Sequence, residues 1–185
     1  SGIGVDPDDP SRPVHEGMPF YPFMDWLPYA RTKTLAEHEV LKGIAEGLDA
    51  VIAVATGIVG PWDFLPSRTG KTFVDFAAGK LRGYIPGGSE FVRAADLVEG
   101  HLLAMAKGKT GHRYLLSTEF KTLDEMIDLF VEFAGGHKPR LRMPVPVMMT
   151  FAKAYAGTVG KLFPDAPQRL TPGAIEILAM NRHAD

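Results

Sequence analysis

The stretch PYARTKTLAEHE, residues 28–39, holds Tyr29 and Lys33 four positions apart. On a helix, positions i and i+4 share a face. An ordinary tyrosine ionises near pH ~10, and a neighbouring cation favours its phenolate. A tyrosine tuned this way can give a proton to a carbonyl oxygen or take one from an alcohol. There are five tyrosines in the chain, and such a spacing also arises by coincidence, so the pair needs its context. Other chemistries find less support. The six histidines (15, 38, 101, 112, 137, 183) show no metal-ligand spacing with carboxylates. Gly70-Lys71-Thr72 echoes a phosphate loop, but Leu65 stands where its first glycine belongs, so it reads as a helix start. No G-x-S-x-G nucleophile occurs.

The elements that must position the pair follow from pattern. A helix is predicted over 29–46, with Leu35, Val40, Leu41 and Ile44 at helical spacing and Gly47 as its stop. LDAVIAVA, residues 48–55, is a continuous apolar run of the kind that suits a strand buried on both faces. TGIVGPWDF then reads as a loop at the strand's C-terminal end, where open α/β sheets bind ligands. Further on, 70–80 reads as a short helix, and the segment from Glu90 as an extended piece turning into a helix near Asp96, which caps it. Residues 112–118 read as a strand. A capping box, Thr122 to Glu125, opens an amphipathic helix that ends at Gly135-Gly136. PRLRMPVP reads as extended, the apolar stretch beginning PVPVMM as a buried or pocket-covering helix, and Thr171-Pro172 as the start of a last helix. Before all of these, residues 5–28 are rich in Pro, Asp and aromatics and read as a long ordered loop.

The bulk numbers agree with a folded α/β chain of one domain or one domain with a small lobe. Of 185 residues, 45% are apolar and 23% charged. The net charge is −2, with no basic surplus to suggest nucleic acid or an anionic membrane as partner. There is no cysteine, which removes disulfides and thiol chemistry and suits a cytoplasmic setting. No secretory leader or uncharged membrane-length run is present in these residues.

YARTKTLAE, IVGP and FVRAAD, in that order, resemble the YxxSKxxAE, VxGP and FVHVDD segments of the extended short-chain dehydrogenases/reductases, the NAD-dependent epimerase/dehydratase superfamily. The likeness is greatest to the dihydroflavonol 4-reductase and aldehyde reductase branch and covers most of the chain. It implies a Rossmann-type parallel sheet with a small mixed α/β substrate lobe. Residues 1–69 would be the C-terminal part of the nucleotide-binding domain. Residues 70–185 would be mostly lobe, with 90–106 returning to the Rossmann domain. The resemblance implies that Tyr29 is the general acid/base, that Lys33 lowers its pKa and holds the nicotinamide ribose, and that Ser1 orients the substrate carbonyl. Ser1 has a second reading, as the remnant of an expression tag. Thr56, Gly57 and Ile58 would line the nicotinamide end of the cofactor. Phe23, Trp26, Trp62 and Phe64 are candidates for the substrate pocket, with ordinary core packing as their alternative. NADP is the expected cofactor, with NAD as the alternative, and a homodimer is the family's habit.

Two departures speak against a nucleotide-sugar epimerase, the competing enzyme reading alongside a steroid-type dehydrogenase. Gly57 stands where epimerases usually carry Asn, and Ser89 where they often carry a diphosphate-binding Arg, although Arg93 lies close by. The glycine-rich turn that holds a cofactor pyrophosphate is not found in these residues, so the chain reads as the C-terminal part of a longer enzyme. A reading of another class is a non-catalytic fragment or an NADP-sensing protein that keeps the Tyr-Lys pair without turnover.

Overall fold

The computed structural model describes residues 12–20, 25, 27–158 and 171–185. The chain divides into two compact units. One comprises residues 1–61, 90–120 and 182–185, and the other 62–89 and 121–181.

In the first unit, helix α1 runs Pro28–Ala45, with Pro28 in its first turn. It closes in a Schellman arrangement. Gly47, at φ 104°, lets its own N–H reach the Ile44 carbonyl and the Leu48 N–H reach the Gly43 carbonyl. The predicted strand over 48–55 therefore starts late, as β1 (Ile52–Ala55). Leu48 belongs to the helix end, Asp49 accepts from the Thr110 hydroxyl, and the Ala50 carbonyl accepts from Gly111 at 2.9 Å. Strand β1 pairs in parallel with β5 (Arg113–Leu116), in the register Ile52↔Arg113 to Ala55↔Leu116. Val14, Met18 and Val54 form a small core there, with Ile52 and Leu115 packed against it.

The loop expected over TGIVGPWDF is partly a strand. β2 (Gly57–Val59) lies parallel to β4 (Gly88–Arg93), with Gly57 opposite Phe91 and Val59 opposite Arg93. Glycine at 57 suggests a turn, but what it supplies is room: a Cβ there would sit 3.0 Å from the Phe91 ring. Helix α3 (Ala94–Lys107) follows β4 directly. Asp96 does not cap it as expected. The N-cap is Arg93, and Asp96 lies in the first turn, where it binds the Arg93 guanidinium at 2.7 and 3.0 Å.

Helix α1 also departs from its expected face. Leu35 is exposed, whereas Ala30, Thr34 and Glu37 are buried. The inward Glu37 faces Arg113 of β5 at 4.0 Å, and Arg113 also donates to the Met18 carbonyl at 2.7 Å and lies over the Phe20 ring. A charged helix position goes inside because a cation of the neighbouring strand meets it there.

In the second unit, Ser67 caps α2 (Arg68–Ala77) by accepting from the Gly70 N–H. β3 (Gly83–Tyr84) pairs in parallel with β7 (Leu141–Arg142). The capping box of Thr122 and Glu125 is present at the start of α4 (Leu123–Ala134), after β6 (Glu119–Thr122), and Gly135 ends it as expected. Helix α5 (Val145–Gly157) is not buried all round. Ala152, Met148 and Met149 pack with Ile85 and Ile175, while Phe151 and Val147 face outward. Thr171 caps α6 (Pro172–Ala179) by accepting from Ala174. β4 and β6 share a three-stranded sheet with β2, and the chain passes between the two units within them.

Candidate functional site

Tyr29 sits in the first turn of α1, 65% exposed, and the Lys33 ammonium lies 5.7 Å from its ring centroid. The helix thus brings together what the i, i+4 spacing promised. Both side chains are open to a ligand. Among the described residues Lys33 makes no ion pair. The nearby acid, Glu37, points into the fold toward Arg113 instead. The ammonium is therefore available to act on the phenol and on polar groups of a ligand.

Thr56 follows the C-terminal end of β1. Its N–H and its hydroxyl both donate to the Leu116 carbonyl, each at 3.2 Å. The hydroxyl also lies 3.5 Å from that of Ser117, which donates to Glu90 at 2.6 Å. Glu90 in turn accepts from the Ala184 N–H at 2.8 Å. This chain of hydrogen bonds fixes the point where β1 gives way to β2. Ser117 and Glu90 carry no signal in the sequence, since they lie far from Thr56 along the chain. Gly57 and Ile58 begin β2, and Ile58 is half exposed.

Trp62 and Phe64, in the second unit, are 78% and 81% exposed, with ring centroids 5.8 Å apart. They are not core residues. Trp62 also has φ 71°, a left-handed conformation that bulky side chains seldom adopt. Ser1, Phe23 and Trp26 lie outside the described residues. No group of three or more His, Cys, Asp or Glu among the described residues could hold a metal. No described helix is long and apolar enough to cross a membrane.

Arg93, close to the position where epimerases carry a diphosphate ligand, is taken up by Asp96. The shared hydrogen bonds hold the Asp96 carboxyl below its ordinary range, helped by the Thr118 hydroxyl, and raise the guanidinium.

Known proteins are similar to this chain in sequence and in fold. The model of the NAD dependent epimerase/dehydratase family matches residues 4–117. Sterol demethylase protein B of Methylococcus capsulatus is 36% identical over 183 residues, covering 99% of this chain and 55% of its own length. A putative dihydroflavonol 4-reductase of Synechocystis is 32% identical over 128 residues, 67% of this chain and 37% of that protein. Of solved structures, gox2253 superposes with a TM-score of 0.78 at 27% identity, covering 99% of this chain and 55% of that one. The chain spans about half the length, or less, of the curated relatives it matches. It belongs to the NAD dependent epimerase/dehydratase family, and its α/β architecture of parallel strands is that of the family's Rossmann-type structures.

Proposed function

We propose that this member of the family contributes the proton-transfer half of an NADP-dependent reductase acting on a small carbonyl compound or the matching secondary alcohol. The observation that carries the reading is the exposed Tyr29 with the Lys33 ammonium 5.7 Å from its ring centroid. The donor set suits the cofactor: an exposed phenol and an exposed ammonium on one helical face are the groups that would meet a carbonyl oxygen and a ribose hydroxyl.

Bound cofactor would supply or accept the hydride. In the reductive direction Tyr29 Oη gives its proton to the carbonyl oxygen, and in the other direction it takes the alcohol proton. Lys33, beside the phenol, holds the ribose. Thr56, Gly57 and Ile58 line the nicotinamide end. Ser1 is the proposed third catalytic group, orienting the carbonyl. Trp62 and Phe64, with Phe23 and Trp26, are proposed substrate contacts; the exposure of the first two leaves them available to a ligand. A homodimer is part of the proposal, as is NADP over NAD, which rests on the likeness to the dihydroflavonol reductase relative.

The epimerase or dehydratase reading, which the family's own description favours, loses ground on one observation. Arg93, the cation nearest the missing diphosphate ligand, is already engaged by Asp96.

The test is NADPH and NADH titration of the full-length protein by tryptophan fluorescence, followed by turnover on a panel of ketones and of nucleotide sugars. Saturable NADPH binding with ketone turnover supports the reductase. Turnover confined to nucleotide sugars overturns it. Cofactor binding without turnover on either panel points to the cofactor-sensing alternative.

A further inference from the structure

The segments GKLRG (79–83) and GGHKPRLR (135–142) contain Lys80, Arg82, His137, Lys138, Arg140 and Arg142 and no acidic residue. In a chain of net charge −2, they are a local excess of positive charge. Only the fold puts them side by side. The parallel pairing of β3 and β7 sets Gly83 opposite Leu141 and Tyr84 opposite Arg142. Arg82 and Arg140 immediately precede the paired residues Gly83 and Leu141, just outside the two strands.

Like charges brought close together repel unless a counter-charge compensates them. Two residues further along, the cation is compensated: Arg142 binds Asp124 in a two-pronged contact at 3.0 and 2.7 Å, and Tyr84 donates to the same carboxylate at 2.7 Å. Lys138 is likewise paired, with Asp128. Among the described residues neither Arg82 nor Arg140 forms an ion pair. Both line a groove of about 480 Å³ together with His137 and Lys138, and no carboxylate lines it. The groove's other walls are apolar and include Phe76 and Leu81. Its volume falls within the range of roughly 300–1,000 Å³ found for small-molecule sites. Where the groove meets the end of α4, Gly135 and Gly136 have φ 71° and 92°, and a Cβ added at either would meet nothing within 4 Å, so backbone is open to a ligand there.

We propose that this groove binds an organic phosphate, its charged head between Arg82 and Arg140 and its apolar body over Phe76 and Leu81. Guanidinium groups suit phosphate because they offer paired, co-planar donors. The groove lies wholly within the second unit, whereas Tyr29 and Lys33 belong to the first, so the proposal does not rest on the reductase reading. The shared chemistry has two sources, a soluble phosphate ester or a phospholipid headgroup.

The experiment is a titration of the ¹⁵N-labelled protein with hexyl phosphate, and separately with phosphatidic acid vesicles, in the wild type, in Arg82→Gln/Arg140→Gln and in Tyr29→Phe. The expected result is saturable hexyl phosphate binding, with shifts at the amides of Gly79, Gly135 and Gly136. Affinity should fall at least about tenfold in the double arginine variant, a difference of ~1.4 kcal/mol, and stay unchanged in Tyr29→Phe. Vesicle binding that the arginine substitutions abolish, with no saturable binding of hexyl phosphate, assigns the site to a membrane lipid and overturns the soluble-ester form. No saturable binding of either probe, or binding that the arginine substitutions leave intact, overturns the proposal. Both arginines are exposed, so the variant should fold, and the amide spectrum checks that directly.

Discussion

A Cβ placed on Gly60 would lie 2.6 Å from the Cβ of Ala94. Gly60 belongs to the IVGP segment and Ala94 stands in FVRAAD, so two segments far apart in sequence meet where β2 ends and α3 begins. The contact leaves no room for a side chain on either backbone beyond the one methyl present.

Gly60→Ala should therefore destabilise the protein by about 1–3 kcal/mol, the usual cost of overpacking. Ala94→Gly in the same chain should recover part of that loss, because it returns the space. A double-mutant cycle by urea unfolding measures the coupling. Purely additive effects would mean that the two backbones are not held in this contact.

The Glu37–Arg113 pair gives a second expectation. Both side chains are largely buried, at 9% and 14% exposure. Arg113→Met should destabilise the protein by up to roughly 3–5 kcal/mol, since it takes a cation away from a buried carboxylate. Adding Glu37→Gln should recover a good share of that, because the charge no longer needs compensation. Unfolding midpoints of the two single variants and the double variant decide it.

Asp124 sets a pH dependence. Hydrogen bonds from Arg142 and then Tyr84 hold its carboxyl below the ordinary range. A depressed folded-state value means that the contribution is complete above the unfolded value of about 4. It is lost as pH falls through the folded-state value. The side chain is 42% exposed, so solvent screening keeps the contribution to at most about 1 kcal/mol. Asp124→Asn should flatten the acid limb of stability below roughly pH 4 and leave its shape at neutral pH unchanged. An identical acid limb in the variant would remove Asp124 from the account.

Tyr29→Phe tests the chemistry. In the full-length protein it should lower turnover by about 10²–10⁴-fold, with cofactor affinity retained. Because Tyr29 is 65% exposed, folding stability should move by no more than about 0.5 kcal/mol. Lys33→Met should lower turnover and also weaken cofactor binding, since two roles are assigned to it. Full activity in Tyr29→Phe would withdraw the catalytic assignment.

Signals in the sequence are legible where the physics is local. The capping box of Thr122 and Glu125, the Thr171 cap, the Gly47 stop and the Tyr29–Lys33 proximity each involve groups within a few residues, and the structure shows all four. Where the deciding partner lies far along the chain, the pattern misleads. Leu35 has the spacing of a core residue and Glu37 the character of a surface one, yet Arg113 draws Glu37 inward. Gly57 has the look of a turn residue, but it serves β2 by leaving room for Phe91. Asp96 has the look of a cap, but it serves as the anion for Arg93.

The sequence by itself determined which segments are helical, several of their caps and the identity of the pair on α1, because backbone hydrogen bonds and i, i+4 neighbours are set within one turn. Only the tertiary structure decided which charges go inside, how Gly60 meets Ala94, and that Arg82 and Arg140 line one groove. Strand register and burial depend on contacts between segments, and no short window of sequence contains both sides of such a contact.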